Sequence, residues 1–110
     1  MNVDYIFEQL EKNITVFNDL MRNVPKDFIY WKSKPDKWNL LEIVCHLYDE
    51  EREDFRARLK HVLENPAKPL PPIDPTFWVV ERDYASKDFI STLNSFIAER
   101  NVSVSWLRVL

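Results

Sequence analysis

The sequence predicts an all-α, up-and-down helical bundle, a single domain over residues 1–110 with three long helices and a proline-rich crossover. Three observations lead there. Apolar residues recur at three- and four-residue steps in three long segments. The chain contains no glycine, the residue best suited to positive-φ hairpin turns, which disfavours a sheet-rich fold. Five of the seven prolines fall between Asn65 and Pro75, so that stretch cannot be helix interior.

The first helix carries Val3, Ile6, Phe7, Leu10, Ile14, Phe17, Met21 and Val24 on one face. Pro25 ends it, because a proline biases the preceding residue away from the helical region. Residues 25–38 connect. Asn39 is a good N-cap with Glu42 three positions later, the pattern of a capping box. From there a second helix is predicted to run from about 40 to about 63, with Leu40, Ile43, Val44, Leu47, Phe55, Leu59 and Val62 toward the core. Acids concentrate early in it and bases late, the order that suits the helix dipole. The prolines at 66, 69, 71, 72 and 75 then make an extended, semi-rigid crossover, anchored by Trp78, Val79 and Val80. Ser86 is the expected N-cap of the third helix, whose stripe is Phe89, Ile90, Leu93, Phe96, Ile97, Val104 and Leu107. The apolar pattern is still running at Trp106–Leu110. It predicts the front part of a larger bundle, with an apolar groove where a fourth helix packs and hence self-association as a homodimer.

A net charge of −3, with no basic cluster interleaved with aromatics, argues against a nucleic-acid surface driven by basic excess. The absence of glycine also excludes phosphate loops of the P-loop and dinucleotide type. Cys45 is the only cysteine, so no internal disulfide forms and a reducing, cytoplasmic compartment fits. On an apolar run its thiol reads as a small buried hydrophobe rather than a nucleophile. Neither a signal peptide nor a membrane-spanning run is visible. The four tryptophans read as core and loop anchors, not as a base-stacking platform.

Two residues stand out chemically. His46 shares a helical face with Glu42, Asp49, Glu50 and Glu53, opposite the apolar stripe. From spacing alone this is first the solvated side of an amphipathic helix. The alternative is a divalent-metal ligand at His46, aided by Glu50, since a histidine with a carboxylate one turn away binds such ions. The other histidine, His61, lies roughly 22 Å further along the same helix and cannot share that ion. Arg100 sits within the apolar stripe of the third helix. It needs an ion pair with an acid of the second helix; the alternative is that it faces a polar pocket and holds an anionic ligand.

At these residues the chain resembles the DinB-like (DinB/YfiT-like) metalloenzyme family. The resemblance is carried by Lys37-Trp38-Asn39 running into Glu42, His46-Leu47, Asp49 and Glu51-Arg52, by Pro69–Pro75, by Trp78–Tyr84, and by Phe96 with Arg100. It implies a four-helix bundle, often dimeric, and a divalent metal, commonly zinc or nickel, held by three histidines. His46 matches the first of these. The other two come in the family from a later helix, and this sequence stops before it. The implied activity is of the metal-dependent hydrolase or thiol-transferase kind, with substrate unassigned. The competing expectation is a non-catalytic helical module that self-associates.

Overall fold

In the computed structural model, which describes residues 3–110, the chain is helical with no strand among the described residues. The elements are α1 (Val3–Arg22), α2 (Lys26–Ile29), α3 (Leu40–Glu50), a π-helical turn (Glu51–Arg56), α4 (Ala57–Glu64), α5 (Pro75–Glu81), a 3-10 turn (Tyr84–Ser86) and α6 (Phe89–Arg108). α6 is the central strut: α1 packs antiparallel along one side of it, Glu11 meeting Arg108 and Arg22 meeting Asn94, and the rod that starts with α3 packs parallel along another, Glu51 meeting Arg100 and Lys60 meeting Trp106. The three predicted long helices are therefore α1, the α3–π–α4 rod and α6, and residues 65–74 form the non-helical crossover.

The core lies where α3, α5 and α6 meet. Leu41, Val44 and Cys45 pack there with Trp78, Tyr84, Phe89 and Leu93, and Ile29 of α2 closes one end. Along α1 the contact is thinner. Phe17 meets Phe96 edge-on at 5.4 Å, and Arg22 donates to Asn94 Oδ1 at 2.6 Å. No residue of α1 is fully buried.

Local chemistry sets the helix starts. Asn39 Oδ1 accepts from the Glu42 amide at 2.9 Å, and Glu42 Oε1 accepts from the Asn39 amide at 3.1 Å, which is the predicted capping box. Asp74 caps α5 through the Phe77 amide, with Pro75 in the first turn where its missing N–H costs nothing. At α6 the sequence reading needs correction. Asp88, not Ser86, is the N-cap, accepting from the Ser91 amide at 2.9 Å. Ser86 instead closes the preceding turn by donating to the Asp83 carbonyl at 2.9 Å. That turn bends through Asp83 at φ 48°, the left-handed region, which aspartate tolerates better than most residues in a chain without glycine.

The π turn was not predicted, and it re-phases everything after it. In an α-helix, residues five apart are turned by about 140°. An i→i+5 turn brings them back to one side. Glu51 and Arg56, at the two ends of the turn, both face α6: Arg100 donates through Nε to Glu51 Oε1 at 2.8 Å, and Arg56 reaches Glu99 Oε2 at 2.6 Å and Ser103 Oγ at 3.2 Å. The ion pair expected for Arg100 is present. The cost falls on the predicted apolar stripe, because Phe55 and Val62 are turned outward, 37% and 53% exposed. Two anchors also fail: Trp31 and Val80 are 65% and 79% exposed, whereas Trp78 is buried as expected.

Candidate functional site

His46 sits about two turns inside the capped start of α3. Trp38, just before the cap, lays its ring 5.0 Å from the imidazole at a 55° tilt. Nε2 approaches Glu50 Oε1 at 3.6 Å, and both side chains are 23% exposed. Nδ1 is buried without a hydrogen-bond partner. Burial pushes the imidazole below its usual range, against the pull of the Asp49 and Asp54 carboxylates, so the neutral ring is favoured. Burial, helped by a hydrogen bond with Asp54, pushes Glu50 up to about 7. Near neutrality the His46–Glu50 contact thus joins a neutral imidazole to a partly protonated carboxyl and is not an ion pair.

A neutral, half-buried imidazole is the form that ligates a metal. A catalytic zinc site nonetheless takes three protein ligands, and among the described residues no three histidine, cysteine or acidic side chains come together to hold an ion. His46 and Glu50 supply two donors.

The acidic face is only in part the solvated surface that spacing alone suggested. Glu42 and Asp49 are each only 5% exposed, while the Glu50 and Glu53 side chains keep 23% and 37%. Glu42 is neutralised by the cap and by Lys32 Nζ at 3.2 Å. Asp49 is the hub of a polar network. Its Oδ2 accepts from the Tyr84 hydroxyl at 2.5 Å and from Arg82 Nη1 at 3.0 Å, while Oδ1 accepts from Arg52 Nη2. Arg82 also grips Glu53 with both terminal nitrogens, Nη2 to Oε1 at 2.9 Å. That grip holds the Glu53 carboxyl below its usual range. Burial first, and the bond to Asp49 second, push the Tyr84 phenol up, so it stays a donor.

Aromatic faces fix both guanidiniums. Arg52 lies 4.0 Å over the Tyr48 ring and Arg82 lies 4.3 Å over the Trp78 ring. Together these groups wall a cavity of about 650 Å³ between α3, the π turn and the segment from Arg82 to Thr92. Cys45 borders it, but burial raises that thiol to about 11, the inert hydrophobe its sequence context suggested. Neither His46 nor Arg100 lines the cavity, and His61 instead meets the Lys68 carbonyl at 3.0 Å through Nε2.

Sequence reasoning had Asp49 and Glu53 but missed their partners. Arg82 and Tyr84 lie 33 and 35 residues from Asp49. The one local hint was two polar-headed side chains next to the Trp78-Val79-Val80 anchor.

No helix among the described residues is long and apolar enough to cross a membrane. Comparison with curated proteins finds no match, and neither does comparison with solved structures. A family model described as the DinB superfamily matches residues 9–110. That span takes in the capped α3 with His46, the proline crossover, the Asp49 network and all of α6, and on it the chain belongs to the DinB superfamily.

Proposed function

We propose that this DinB-superfamily domain takes part in divalent-metal chemistry of the hydrolase or thiol-transferase kind, with His46 as the ligand it contributes and Glu50 as an auxiliary group. The supporting observation is the state of His46: half-buried, kept neutral by burial, with an unpartnered buried Nδ1 and a carboxyl 3.6 Å from Nε2. The π turn that follows is a second pointer, because such turns are frequent at functional sites. On this reading the remaining ligands come from a second copy of the chain. Zinc or nickel supplies a Lewis acid when bound. The part of this chain is to hold one imidazole at a fixed angle against Trp38.

The test is the metal content of the purified chain after loading with zinc or nickel, read beside its mass in solution. Stoichiometric metal that is lost in His46→Ala supports the proposal. A chain whose metal content is zero, or is unchanged by His46→Ala, overturns it.

A homodimer belongs to the same proposal. Tyr5, Val16 and Leu20 fall within about 60° of one another on the α1 face turned away from α6, and they are 60%, 50% and 63% exposed. A second copy laid on this stripe buries it and brings a second set of side chains to the bundle.

A further inference from the structure

We infer that the cavity beside Asp49 is a binding site for a small organic anion: a carboxylate or phosphate carried on an apolar body. The site is separate from His46, and the inference does not depend on a metal being bound there.

The first argument is charge. Three cations, Arg52, Arg82 and Lys87, face two carboxylates, Asp49 and Glu53, in the cavity wall. Both carboxylates are already spent. Asp49 is 5% exposed and is occupied by Tyr84, Arg82 and Arg52. Glu53 is clasped by Arg82. What the wall offers a visiting molecule is therefore positive.

The second argument is donor supply. A guanidinium has five N–H donors in a rigid fork. Arg52 directs one to the Tyr48 carbonyl at 3.3 Å and one to Asp49. Arg82 directs its bonds to Glu53 and Asp49. Each retains N–H groups beyond these bonds, and at 31% and 32% exposure both side chains reach solvent. Planar donor forks match the paired oxygens of carboxylate and phosphate.

The third argument is preorganisation. Stacking on Tyr48 and Trp78 and pairing with the carboxylates hold both guanidiniums before any ligand arrives. The entropy of ordering those side chains is then not charged against binding. Cys45, Tyr48 and Tyr84 supply an apolar flank beside the cations, which suits an organic body better than a bare ion. A volume of about 650 Å³ lies inside the roughly 300–1,000 Å³ range of small-molecule sites.

The experiment is titration calorimetry on the full chain with three probes that share a phenyl body: benzoate, its neutral isostere benzamide, and phenyl phosphate. One-to-one binding of an anion is expected, with benzamide about tenfold weaker or more. The tighter of the two anions identifies the headgroup. Arg52→Gln is expected to weaken that anion about tenfold. Lys87→Gln, which alters an exposed side chain outside the network, is expected to weaken it a few-fold with the thermal midpoint unchanged and keeps the test valid if Arg52→Gln disturbs folding. Amide shifts on titration should cluster at Arg52, Tyr84 and Lys87. The inference is overturned if neither anion binds below about 10 mM, if benzamide binds as tightly, or if folded Arg52→Gln and Lys87→Gln bind like the parent.

Discussion

Arg100 illustrates how much a single charge in an apolar stripe constrains its surroundings. Its partner Glu51 is 3% exposed, and only Oε1 of that carboxylate is bonded; Oε2 is buried without a partner. A buried pair with an unsatisfied oxygen adds little net stability, but breaking it strands a charge. Glu51→Leu is therefore expected to cost about 3–5 kcal/mol in urea unfolding, and Arg100→Met added to it to recover most of that loss. Equal losses in the single and double variants would refute the pairing. The caps give a second prediction. Asp88→Ala removes the acceptor for the Ser91 amide and should lower the thermal midpoint by roughly 5 °C, while Ser86→Ala leaves it within about 2 °C. Glu53 gives a third. Arg82 depresses its carboxyl below the ordinary value of 4.5, so the folded state binds that proton less readily than the unfolded chain. The resulting stability is complete above pH 4.5 and is lost as pH falls through the depressed value. Arg82→Gln should flatten the midpoint-against-pH curve below pH 4.5, as seen in thermal melts across that range.

Among the elements, the π turn is where an otherwise regular helix departs from its own periodicity. Its function in the fold is register: it lets Glu51 and Arg56 face α6 together. One extra residue accounts for this, so removing one should restore an α-helix without breaking either pair. Deletion of Asp54 is expected to leave stability within about 1 kcal/mol of the parent, the loss being its pairing with Arg58 and its hydrogen bond with Glu50. Deletion of Ile43, within α3, rotates Leu41 and Glu42 relative to Val44 and Cys45 by about 100° and should abolish cooperative unfolding. Circular dichroism and urea melts of the two variants decide it. If Asp54 and Ile43 deletions are equally harmful, the turn is not a register insertion.

At the scale of the molecule, the arrangement is open. The radius of gyration is 15.6 Å, against about 13 Å for a compact chain of this length. The accessible surface is 7445 Å², against about 6,500 Å² for a monomer of this mass. The excess is comparable with the roughly 800 Å² that one partner buries in a standard interface, and α1, with no buried residue, carries much of the uncovered apolar surface. If a second copy covers that face, sedimentation should give a dimer at micromolar concentration, and Leu20→Lys with Val16→Lys should give a folded monomer. A parent chain that sediments as a monomer at all concentrations would remove the argument.

Short-range chemistry determined what was legible in the sequence. The capping box at Asn39, the proline segment and the three amphipathic rods rest on residues within a turn or two of each other, where spacing alone fixes geometry, and the family resemblance rests on several such short segments. The need of Arg100 for an acid of the second helix was readable too, because an unpaired charge on an apolar stripe is too costly to leave. The tertiary structure decided which acid met it, that a π turn would form to allow this, and that Asp49 would be buried under Arg52, Arg82 and Tyr84 rather than solvated. Those outcomes depend on pairings between residues up to 49 apart. Helical periodicity places a side chain on a face, but only packing against another helix determines whether that face meets water or a partner of opposite charge.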